Sequence, residues 1–150
     1  MIANDPIQVS GQKMSAAGLS LAGVSAVVIL ASITHAYKFG HRAFIAGVIL
    51  IALLYVLNIL YRRTRNKVFL VFYAVLNGWV IIGFGLFNGF WNHTFKLFLN
   101  FLHNGYLPPF MAKFFITPQI GSFFFEGVGI LTFVMSIFAV YYGYKFIKEG

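Results

Sequence analysis

The chain contains no cysteine, which excludes disulfides, thiolate metal sites and thiol redox relays and leaves the redox compartment open. Acidic residues are almost as scarce, 3 against 11 Lys and Arg. Only Glu126 falls inside an apolar run, so no paired-carboxylate mechanism can operate within such runs. The sequence also lacks a Walker loop, a GxGxxG following a strand, a GxSxG elbow and an EF-hand loop. Nothing in it marks an enzyme. With charged residues at 9% and apolar residues at 60%, the chain lies far from the roughly 45–50% apolar and 25% charged usage of soluble domains.

What is present in quantity is hydrophobic sequence. Four apolar stretches cover residues 15–37, 43–61, 68–91 and 123–144. A helix rises ~1.5 Å per residue and a hydrocarbon core is about 30 Å thick, so ~20 apolar residues suffice to cross it. The pattern predicts an all-α integral membrane protein, with four transmembrane helices in a single domain over residues 1–150 and no room for a folded soluble module. The first stretch reads as a retained span and not a cleaved leader. Its run from Ala16 to Ile33 exceeds the ~7–15 residues of a signal-peptide core, and no basic residue precedes Lys13. Residues 1 to 12 read as an irregular tail.

The formal net charge of +8 is spread over every loop and tail. Phospholipid headgroups explain it without nucleic acid, each basic residue near a span end contributing about 1 kcal/mol. Lys13, Arg62, Arg63, Arg65, Lys67, Lys145 and Lys148 fall on one side, and Lys38, Arg42, Lys96 and Lys113 on the other, seven against four. The positive-inside rule then places both ends of the chain in the cytoplasm. The expected location is a bacterial-type inner (plasma) membrane. Tyr37, Trp91, Tyr106, Tyr141, Tyr142 and Tyr144 near the span ends fit an aromatic belt.

Two span faces are readable. Gly18, Ala22 and Ala26 recur every fourth residue in the first span and form a smooth ridge suited to close helix packing. At ~100° per residue, Asn77, Ile81, Phe84 and Asn88 align in the third span, with Gly85 and Asn92 at the edge of the strip. Amides facing lipid are costly, so this strip is expected to face protein or a wet cavity. Gly85 and Gly89 beside it form a GxxxG step, and Asn58 is a further packing amide. Between the third and fourth spans, residues 94–104 place Lys96, Asn100, His103 and Asn104 at helical spacing opposite Phe95, Leu99 and Leu102. This predicts an amphipathic helix lying in the outer interface, stopped by Gly105 and by Pro108 and Pro109. The segment 109–121 is expected to lie in the same interface.

An intramembrane carboxylate is expensive and marks a functional site by default. For Glu126 the available partners are His35, His93, Arg42, Lys38 and the Asn88 amide. All four histidines, His35, His41, His93 and His103, fall on the outer side. The candidate polar site is therefore Glu126, His35, Asn88, His93 and His103, which serves either to lock the bundle or to bind a metal ion, a haem, a quinone headgroup or a proton. Imidazole suits several transition metals, but no HxxxH or HExxH pair is present, and no cofactor is predicted. The leading expectation is a non-enzymatic accessory, assembly or scaffold subunit. Its partners are the lipid bilayer and either itself or a larger membrane protein. The alternatives are a metal-, haem- or quinone-binding redox protein and a small dimeric transporter with a protonatable Glu126.

Overall fold

The computed structural model describes residues 15–116 and 120–149. The expected tail at residues 1 to 12 lies outside them, as do Lys13 and the side chains of Tyr37 and Lys38. The architecture is all-helical, 87% helix with no strand among the described residues. Four helices are long and apolar enough to cross a membrane: α1 (Ala16–Phe39), α2 (His41–Thr64), α3 (Lys67–Leu102) and α5 (Phe123–Glu149). The one-turn α4 (Pro109–Ala112) lies in the connection between the last two.

Local chemistry sets the boundaries. The Ser15 hydroxyl accepts from the Gly18 N–H at 3.3 Å and caps the start of α1,. Gly40 alone joins α1 to α2, at φ +60°, a conformation that costs glycine little because it has no Cβ. Arg65 closes α2 in the left-handed region, and the Asn66 side chain accepts from the Val68 N–H at 3.0 Å to open α3. Asn104 and Gly105, both at positive φ, end α3 as expected.

Within the helix expected over residues 94–104, Lys96–Leu102 is α-helical and continues the third span directly. α3 runs unbroken for 36 residues, because nothing between Trp91 and Leu102 interrupts its hydrogen-bond ladder. Over Ile81–Phe95 that ladder is π-helical, with i→i+5 bonding in place of i→i+4. The side chains of Asn92 and Thr94 extend the pattern by donating to the carbonyls of Phe87 and Gly89, five residues back, each at 3.1 Å. Lys96, expected on a water-facing side, is 1% exposed. Glu126 on α5 provides a counter-charge that draws it inward.

α5 packs most extensively against α1 and then against the π-helical part of α3. Small residues permit the approach. A Cβ on Gly89 would meet the Phe133 N at 2.7 Å and the Gly129 O at 2.9 Å, and one on Gly85 would collide with Ser136. The core is built from Val24, Val27 and Val28 of α1, Leu54 and Tyr61 of α2, Leu70 and Tyr73 of α3, and Ala139 and Phe146 of α5. Phe146 receives Tyr61 and Tyr73 edge-on, at 5.5 and 5.4 Å between ring centroids. Of the α1 ridge, Gly18 and Ala26 are half-buried and Ala22 is exposed. The α1 face turned inward carries Ala17, Ser20, Gly23, Val24, Val27 and Ala31 instead.

Candidate functional site

The antiparallel course of the helices collects polar residues at two ends of the bundle. At one end the polar groups are neutral: Ser20 Oγ lies 2.8 Å from the Tyr73 hydroxyl, and Asn58 Nδ2 donates to the Ala17 carbonyl at 3.3 Å. Asn77, from the strip read on α3, is buried there.

The other end is charged. Glu126, in the first turn of α5, accepts from His93 Nδ1 at its Oε2 at 2.8 Å. Its Oε1 accepts from Lys96 Nζ at 2.9 Å and from the Gly121 N–H at 2.7 Å. The carboxylate thus accepts from three donors, at least one on each oxygen. The side chains of the Lys96–Glu126 pair are only 1% and 5% exposed. Ions so buried carry a desolvation cost that only good geometry and further hydrogen bonds offset, and the His93 and Gly121 donors supply these.

The π-helical stretch decides which side chains meet. In an α-helix, at ~100° per residue, His93 would sit ~140° around the axis from Asn88. A π turn holds more residues and rotates His93 back toward Asn88 and Asn92. Gly129 on α5 then has to be glycine, because a Cβ there would overlap the His93 ring.

Around this cluster lies a cavity of about 810 Å³, walled by Thr34, His35 and Phe39 of α1, by Asn88, Asn92, His93 and Lys96 of α3, and by Ile116, Ile120, Gly121, Ser122, Phe125 and Glu126. The connecting segment is fastened to α3 beside it. Trp91 Nε1 donates to the Phe114 carbonyl at 2.8 Å, Asn92 Oδ1 accepts from the Ile116 N–H at 3.0 Å, and Phe115 packs on Trp91 at 5.8 Å between centroids.

Four of the five candidate site residues line this one cavity, and His93 alone of the expected partners bonds Glu126 among the described side chains. His35 instead donates its Nδ1–H to the Ala31 carbonyl at 2.8 Å, with its ring stacked on Phe39 and edge-on to Phe84. Asn88 lines the cavity, and its buried Nδ2 has no hydrogen-bond partner among the described residues. His103, capping the end of α3, and His41, opening α2, are exposed and outside the cavity. Arg42 does not reach Glu126 and lines a separate apolar groove between α1 and α2.

Lys96 is the participant missing from the sequence reading. One signal pointed to it: it lies one helical turn beyond His93, toward the only acidic residue in an apolar run. Among the described residues no three His, Cys, Asp or Glu side chains converge as metal ligands. No protein-family model matches this sequence, no curated protein is similar to it, and no solved structure matches its fold.

Proposed function

We propose that this protein is a multi-pass integral membrane protein that acts as a non-enzymatic accessory, assembly or scaffold subunit. The observation that carries this is the engagement of both Glu126 oxygens by three internal donors. Both carboxylate oxygens are committed to groups of the protein itself, an arrangement suited to locking α3, α5 and the connecting segment together. A carboxylate that carries protons for transport has to exchange partners, so the same geometry favours transport less.

The outward surface supports association with lipid, a second copy or a larger membrane protein. Large apolar side chains such as Val48, Trp79 and Phe101 are 67%, 74% and 80% exposed, and lipid or protein is the medium that accepts them. The partly exposed ridge of Gly18, Ala22 and Ala26 is a surface on which another helix can pack closely. We place both ends of the chain and the Arg62–Lys67 loop in the cytoplasm of a bacterial-type inner membrane, on the seven-to-four distribution of basic residues,. Reporters fused after Gly150 and after Gly105 are expected to give opposite localisation, and matching signals contradict the four-span topology. In mild detergent the protein is expected to run as a complex larger than the monomer, and Ala22→Leu to dissociate it while leaving the helical content unchanged. A protein that is monomeric in native mass spectrometry, with or without the substitution, contradicts the assembly role.

A second function, binding of an organic cofactor or metabolite in the cavity beside Glu126, is favoured by the two histidines. Each has its Nδ1 committed and its Nε2 without a hydrogen bond among the described residues. Anchoring one ring nitrogen to a carbonyl or carboxylate fixes the tautomer and orientation of an imidazole that works through the other.

A further inference from the structure

The polar groups of the cavity that the fold does not use define a recognition pattern. Asn92 is consumed by Phe87 and Ile116, Glu126 by its three donors, and the Thr34 hydroxyl by the Ala31 carbonyl. Among the described side chains of the cavity, four make no hydrogen bond through a group that could reach a ligand: the Asn88 amide, whose buried Nδ2 donates, the Ser122 hydroxyl, and the Nε2 atoms of His35 and His93. A carbonyl oxygen can only accept, so the Nδ1 of His35 carries its proton, and its Nε2 in the neutral ring presents a lone pair. The carboxylate likewise accepts from the Nδ1–H of His93. The combination offers donors and acceptors side by side and matches an oxygen that both accepts and donates a hydrogen bond, namely a hydroxyl.

Charge and shape narrow the class. Among the described side chains of this chamber Lys96 and Glu126 compensate one another at 2.9 Å, so with neutral imidazoles these present no surplus charge and a charged head would be buried against them without a counter-ion. Phe39 and Phe125 in the walls favour a flat ring,. At about 810 Å³ the cavity lies within the ~300–1,000 Å³ of small-molecule sites, and is far larger than a metal ion needs. His35 and Phe39 also form one wall of the second cavity, the groove of about 330 Å³ between α1 and α2, lined by Val28, Ala31, Leu50 and Phe84 and, as its one described charged residue, Arg42. A polar chamber and a largely apolar groove thus meet across the same two side chains.

We propose that this pair of cavities binds a neutral amphipath with a planar hydroxyl-bearing head, of the quinol class, its head between His35, His93 and Asn88 and its tail in the α1–α2 groove. This rests on the second function above and is independent of the assembly role, which is read from oligomer size. In the neutral form of an imidazole held at Nδ1, Nε2 accepts from the hydroxyl of a quinol and has nothing to donate to the carbonyl of a quinone, so at a pH where both rings are neutral the reduced form binds more tightly.

The test is calorimetric titration of the detergent-solubilised full chain with decylhydroquinone under argon, with decylbenzoquinone, decylbenzene and zinc chloride as comparison probes. Saturable binding of decylhydroquinone is expected, at least tenfold tighter than decylbenzoquinone, with no saturable binding of decylbenzene. His35→Phe, which keeps the ring and removes the acceptor, is expected to abolish the preference for the hydroquinone and weaken its binding at least tenfold. Ser122→Trp fills the chamber while leaving His35, His93 and Asn88 in place and is expected to weaken both probes; it decides the matter alone if His35→Phe does not fold. Equal binding of decylbenzene and decylhydroquinone, no saturable binding, or affinities unchanged in the variants overturn the proposal. Saturable zinc binding that depends on His35, with no hydroquinone binding, overturns it in favour of a metal site.

Discussion

The two ends of the bundle bury similar numbers of polar side chains but bury them differently. At the Tyr73 end, Ser20, Asn58 and Tyr73 are neutral and exchange single hydrogen bonds between helices. At the Glu126 end an ion pair and a histidine share one carboxylate, and the connecting segment is tied to the same oxygen through Gly121. A neutral hydrogen bond lost in an apolar setting costs little, because the freed groups find other partners. A buried charge stripped of its counter-ion has no such refuge. The first end therefore tunes helix packing, whereas the second is an all-or-none lock that joins helices to a loop.

Substitutions at the two ends should differ accordingly. The largest effect is expected at Glu126: Glu126→Leu leaves the Lys96 ammonium without its carboxylate and should cost about 3–5 kcal/mol, read as unfolding in mixed detergent micelles. Gly129→Ala should come next, at about 1–3 kcal/mol, since the added Cβ overlaps the His93 ring,. Proteolysis of the 109–121 segment should rise with it if that ring holds the carboxylate in place. At the neutral end Ser20→Ala should cost only about 0.6 kcal/mol and leave that proteolysis unchanged. A Ser20→Ala loss as large as that of Glu126→Leu would erase the distinction between the ends.

The four long helices were legible because their apolar runs are long and uninterrupted, and Gly40, Arg65–Asn66 and Asn104–Gly105 separate them where turn chemistry dictates. Of the strip read on α3, Asn77 and the edge residues Gly85 and Asn92 are buried, while Ile81, Phe84 and Asn88 are half-buried. Lys96 and the end of α3 were not legible. An amphipathic pattern at α-helical spacing assigns Lys96 to water, and only the π-helical stretch and the carboxylate 30 residues away turn it inward. Hydrophobic periodicity reports the average turn of a helix and carries no information on a local change from i→i+4 to i→i+5 bonding. The inward face of α1 was not legible either, for another reason. Small residues occur on several of its faces, and which of them meets α5 depends on partners that spacing alone does not specify.

The central claim, that Lys96 and Glu126 form a buried structural lock, is tested most directly by a double-mutant cycle. Lys96→Met, Glu126→Gln and the double variant are compared with the parent in the same unfolding measurement. The account predicts that each single change is strongly destabilising, and that the double variant recovers to within about 1 kcal/mol of the parent, because neutral residues of similar volume replace both charges at once. Small single losses that simply add in the double variant would contradict it.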